Sequence, residues 1–160
     1  MKKIILLVLV CLLPVACMSA SPAYLAPVES YLVENIGQAY TSGKVFCAYD
    51  VLGTASKAEG TDVYVWALCG EYYLNNTVLT LGTASSLPVA LYEKNSDGIF
   101  TVIGYEIPSD GTAYMSDIQR IFPSDAIQAM CHEDANCYNE RARRLESEIE
   151  QKAGEFYSLK

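Results

Sequence analysis

The chain has 160 residues, 51% of them apolar and 19% charged, a composition that suits one globular domain and argues against a disordered chain. Acidic residues outnumber basic ones 19 to 11 and there is no basic run, so electrostatic binding to nucleic acid or to an anionic lipid surface is not expected.

Met1-Lys2-Lys3 is followed by an apolar run from Ile4 to Leu13. A bilayer span needs about 20 residues, so this run is too short to cross and reads as the front of a bacterial-type export signal over residues 1–20. Leu13-Pro14-Val15-Ala16-Cys17 resembles the lipobox of bacterial lipoproteins, with Pro14 where that pattern has Leu. The resemblance implies lipidation of Cys17 and contact with a membrane only through that anchor. Ordinary cleavage after Ala20 or Ala23 is the other reading. Without Lys2 and Lys3, 19 acidic residues stand against 9 basic ones, a formal charge of −10. The expected location is a bacterial cell envelope or periplasm, or the medium, and residues 21–160 are expected to form one domain.

Residues 27–40 carry Val28, Tyr31, Leu32, Ile36, Ala39 and Tyr40 at helical spacing, and Thr41-Ser42-Gly43 ends the pattern. Five runs rich in Val, Ile, Tyr and Thr follow, at 44–52, 62–69, 76–82, 87–94 and 98–107, and are expected to be strands. The last is bracketed by two Ser-Asp-Gly turns and is apolar on both faces, with Ile99, Ile103 and Tyr105 against Phe100 and Val102. That pattern predicts a central strand. Leu52-Gly53-Thr54-Ala55-Ser56 recurs as Leu81-Gly82-Thr83-Ala84-Ser85, each copy expected to close a strand.

Ser116-Asp117-Ile118-Gln119 has the form of a capping box, and Pro123-Ser124 starts a second short helix towards Met130. The clearest helix is the last. Tyr138, Ala142, Leu145, Ile149, Ala153 and Phe156 recur every three or four residues. That stripe needs something to pack on, either the domain's own sheet or a second copy in a homodimer.

These elements predict an α+β domain in which an antiparallel sheet of about five strands packs against an N-terminal helix and a long C-terminal helix. In its ingredients this is similar to cystatin and NTF2-type rolls, an analogy of architecture alone.

Four cysteines lie in the folded body, and an even number in an exported chain favours two disulfides. Cys47 and Cys69 are equidistant from the midpoint near Ala58 of the loop joining the first two strands. A symmetric hairpin sets them opposite each other, with Tyr49 facing Ala67 and Val51 facing Val65. Cys131 and Cys137 then pair by elimination. Between them lies the only histidine, His132, beside Glu133 and Asp134. The spacing does not suit zinc, so no metal is expected there.

No nucleophile elbow, metalloprotease helix, phosphate loop or dinucleotide fingerprint is present, and no cofactor is expected. Asp50, Asp62, Glu71 and Glu106 lie at or beside strands, which leaves a small secreted hydrolase working through carboxylates, with or without His132, as the alternative function. The first expectation is a non-enzymatic envelope protein. Tyr64 and Trp66, with Tyr72 and Tyr73 nearby, would form an aromatic strip if helices cover only one side of the sheet, and such a strip suits an envelope protein or a glycan ligand. Asn75-Asn76-Thr77 is a glycosylation sequon expected to stay unmodified after bacterial export.

Overall fold

A computed structural model describes residues 21–131 and 134–158. The export signal, Cys17, His132 and Glu133 lie outside the described residues. The chain runs through a 3-10 turn (Ala23–Leu25), helix α1 (Val28–Asn35), strands β1 (Lys44–Lys57), β2 (Gly60–Asn75), β3 (Val78–Ser96) and β4 (Ile99–Glu106), then helices α2 (Tyr114–Ile121), α3 (Ser124–Ala129) and α4 (Ala135–Phe156). The strands form one antiparallel meander in the order β1-β2-β3-β4. The α+β architecture is as expected, with four strands in place of five.

The missing break is at residues 82–87, which continue β3 instead of turning. Ala84, Ser85 and Ser86 pair with Gly70, Cys69 and Leu68. Their small side chains read as a turn, yet they fit where a strand runs close against its neighbour. Neither Leu-Gly-Thr-Ala-Ser copy closes a strand. Each instead sits at a register shift, one between Val51 and Gly53 and the other opposite Glu71, so the echo is one of bulge chemistry. True turns fall at Asn76-Thr77 and Asp97-Gly98, where both residues of each pair have positive φ, the geometry of two-residue hairpins.

The first hairpin has the expected register. Cys47 pairs with Cys69, Tyr49 with Ala67 and Val51 with Val65, and the disulfide joins Cα atoms 4.1 Å apart. The second disulfide, Cys131–Cys137, ties the end of α3 to the first turns of α4, with Cα atoms 5.8 Å apart.

Alternation along the strands gives the sheet two apolar faces, and both are covered. Tyr64, Trp66, Leu68 and Phe46 pack under α2, α3 and α4 with Ile118, Phe122, Leu145 and Ile149. Val63, Val65, Ala67 and Leu91 pack on the other side under α1, with Val28 and Leu32. The α4 stripe thus lies on the domain's own sheet. Its buried positions are Arg141, Leu145, Ile149 and Ala153, while Tyr138 and Phe156 are exposed.

Two helix boundaries differ from expectation. α1 stops at Asn35, because the following loop is drawn onto Glu71. The capping box does not form. α2 begins earlier, Ser116 donates to the Ala113 carbonyl, and Asp117 accepts from the Ser109 amide at 2.9 Å. α4 starts instead from Asp134, whose side chain accepts from the amides of Asn136 and Cys137.

Candidate interaction surface

The expected aromatic strip is in the core. Trp66 is 6% exposed, donates its ring N–H to Ser86 Oγ at 2.9 Å and meets Tyr138 edge-on, with the Arg141 guanidinium 5.4 Å from its ring. Tyr64 lies against Phe122, and Tyr72 against Phe46. Tyr73 is half-buried on the opposite face. The correction follows from sheet coverage: with three helices on this face, Tyr64, Trp66 and Tyr72 supply packing area and present no open strip to a ligand.

The strand carboxylates are engaged one by one. Asp50 accepts from Arg141 Nε at 3.1 Å and from Arg144, joining β1 to α4. Arg141 also donates to the carbonyls of Ala129 and Met130, satisfying the end of α3. Glu71 is fully buried and accepts from the backbone amides of Tyr40, Thr41 and Gly43 and from the Thr41 hydroxyl. The hydroxyl bond, helped by the amides, holds its carboxyl below the usual range. Asp62 pairs with Lys57. Glu106 accepts from Arg120 at 2.7 Å and from the Tyr92 hydroxyl at 3.0 Å, and these two bonds lower its pKa. Burial, the bond to Glu106 and its charge push the Tyr92 phenol up to about 12, so it stays protonated at neutral pH. No cluster among the described residues has the make-up of a metal site.

Lys57, Asp62 and Tyr92 line a recess of about 210 Å³ with Gly60, Lys94 and Ile103. Asp62 and Tyr92 pair across β2 and β3, two residues beyond Tyr64 and Ala90, so the recess opens on the helix-covered face where that cover ends.

The recess adjoins β4, and β4 overturns another expectation: it is an edge strand. It pairs with β3 only over Ala90–Ser96, and no described strand lies on its outer side. Ile99 is 71% exposed and Ile103 68%, while Tyr105 is partly shielded by the Tyr31 ring at 6.0 Å. A register shift between Tyr92 and Glu93 makes Ile103 the extra residue of a bulge. From Ile99 to Tyr105 the strand carries no charge. Open edges are normally blunted with Lys, Pro or inward charges, and this one is not, apart from its bulge. Its composition reads as that of a central strand, so nothing in the sequence marks it as an edge.

Family models, characterised proteins and solved structures yield no match to this chain. No helix among the described residues is long and apolar enough to cross a membrane.

Proposed function

We propose that this chain is an exported, non-enzymatic interaction module that takes its partner by adding a strand to the outer edge of β4. One observation carries the reading: a strand with central-strand composition stands at the sheet edge with Ile99 and Ile103 in solvent. Backbone N–H and C=O groups along such an edge bind an extended segment whatever its sequence, and side chains beside them select it. The partner is an extended polypeptide segment with apolar residues facing Ile99 and Ile103. The recess at Tyr92 and Ile103 would receive one of its long side chains.

The two disulfides and the signal-like N-terminal sequence support an oxidising location outside the cytoplasm. The hydrolase alternative draws less support, because Asp50, Asp62, Glu71 and Glu106 are each committed to cations, amides or hydroxyls.

Selection of a displayed random-peptide library on the immobilised protein tests this reading. Extended, β-branched sequences should be enriched, and a double Ile99→Lys, Ile103→Lys variant should lose at least tenfold in affinity for them with its circular dichroism unchanged. Peptides that bind this variant as well as the wild type would refute it.

A further inference from the structure

Among the described residues, the buried side-chain oxygens and nitrogens without a hydrogen-bond partner are the two carboxylate oxygens of Glu93. Glu93 is 5% exposed and follows Leu91 by two residues on β3, so it faces the α1 side of the sheet. Thr61 on β2 and Val102 on β4 flank it in register. The layer is closed from outside by the N-terminal 3-10 turn. Tyr24 meets Phe100 of β4 with ring centroids 6.3 Å apart, and the Leu25 carbonyl accepts from the Tyr49 hydroxyl at 3.3 Å.

The titratable groups on this side give Glu93 no counter-charge. Among the described residues they include Tyr49 of β1, Tyr105 of β4, Tyr24 of the turn, and Glu29, Tyr31 and Glu34 of α1, none of which is a cation. Lys152 and Glu148 of α4 reach the layer from the β1 edge and, like Glu29, act on Tyr49. Lys152 is already held by Glu29, Glu148 and the Cys47 carbonyl. Lys94, next in sequence, alternates to the opposite face, where it lines the recess. Glu93 borders that recess too, with Lys57, Glu59 and Asp62, but Lys57 is held by Asp62 and no cation there bonds the Glu93 carboxylate. Desolvation with nothing to offset it favours the neutral acid and pushes the Glu93 carboxyl up to about 7.

The surrounding structure can yield. β4 is the edge strand, it bulges beside Glu93, and the cover above is a three-residue turn. Such elements open at a small fraction of the global unfolding free energy.

We propose that Glu93 is a proton-operated latch: while it holds its proton, the 3-10 turn and β4 stay closed on the sheet, and when the proton passes to solvent they open so that water reaches the carboxylate. This goes beyond strand docking and holds whether or not β4 takes a partner.

Amide hydrogen exchange across pH, corrected for intrinsic rates, tests the latch. With an ordinary carboxyl value in the open form and about 7 in the closed form, the opening constant of β4 amides should rise roughly thirtyfold between about pH 5.5 and about pH 8.5. Amides at Val63 and Val65 of β2 should change far less. In Glu93→Gln the rise should vanish. Should that variant fail to fold, the carboxyl carbon of Glu93 in the wild-type protein still decides the matter by NMR. A midpoint near neutrality, accompanied by the β4 rise, supports the latch. A midpoint in the ordinary carboxylate range, or β4 protection that does not vary with pH, overturns it.

Discussion

Thr41 and Glu71, 30 residues apart in sequence, meet twice at one oxygen: the Thr41 hydroxyl lies 2.6 Å and its amide nitrogen 2.9 Å from Glu71 Oε1. Glu71 stands opposite the β3 bulge, and Thr83 within that bulge donates to the Gln38 carbonyl. The loop after α1 is thereby tied to the middle of the sheet. Gly43 is required at this point, because a Cβ there would come within 2.7 Å of the Tyr72 carbonyl oxygen. The carboxylate thus serves as a set of acceptors for backbone that no strand satisfies.

Glu71→Gln should therefore destabilise the fold at neutral pH, because an amide cannot accept this many bonds and would bring its own donors into a buried nest. Amides of Tyr40, Thr41 and Gly43 should lose exchange protection first. The native carboxyl is held below its unfolded value, so its contribution is full above the ordinary glutamate pKa and disappears as pH falls through the native value. Urea midpoints from pH 7 down to about pH 3 should fall more steeply for the wild type than for the variant. Parallel curves would remove Glu71 from the account of acid stability.

Trp66→Ala should cost about 3–5 kcal/mol, as removal of a buried large aromatic does, and should lower the thermal midpoint whatever ligand is present. Trp66→Phe should recover most of it, less the bond to Ser86. Ile103→Lys, at an exposed edge, should stay within about 0.5 kcal/mol of the wild type. Denaturation curves for these three variants separate the packing aromatic from the surface strand. A stable Trp66→Ala protein would contradict the placement of this residue in the core.

The parts legible in sequence were those fixed by local period or by symmetry. The Cys47–Cys69 register follows from counting about a hairpin, and the α4 stripe from its spacing. Arg141 was not legible as a buried residue, because its burial depends on Asp50 and two α3 carbonyls that only the tertiary fold supplies. The course of β3 through residues 82–87 was hidden for a similar reason: small residues signal a turn unless a neighbouring strand comes close. Sheet order was the largest gap. Apolar side chains on both faces of β4 say that it should be covered, and the sequence holds no sign that it stands at an edge.

The disulfides should contribute unequally. Loop-closure entropy assigns roughly 3 kcal/mol to Cys47–Cys69, which closes 22 residues, and roughly 2 kcal/mol to Cys131–Cys137, which closes 6. The β1–β2 register has many other pairs to hold it, so Cys47→Ala, Cys69→Ala should fold with a lowered midpoint. Cys131→Ser, Cys137→Ser should loosen the α3–α4 junction, seen as faster exchange at Met130 and Tyr138, with the β2 core amides unchanged. Equal losses for both pairs would point to local packing at the second bridge as the larger effect.

Glu93 acts on global stability with the opposite sign to Glu71. Its native carboxyl is raised from the ordinary value to about 7 by desolvation, so between about pH 4.5 and about pH 7 the native state holds a proton that the unfolded chain has released. Stability then falls as pH rises through that window, by about 1.4 kcal/mol per unit at most, and levels off above it. The whole shift is worth at most about 3.5 kcal/mol, an upper figure because water reaching the opened site relieves part of it. Glu93→Gln keeps the shape of the neutral acid and removes the titration. The variant should gain on the wild type steadily from about pH 5 to about pH 8, less the cost of one buried amide without partners. Urea titrations of both proteins across that range give the difference directly. A constant difference would mean that Glu93 ionises without cost, and that its burial is relieved by a group close to it that supplies hydrogen bonds.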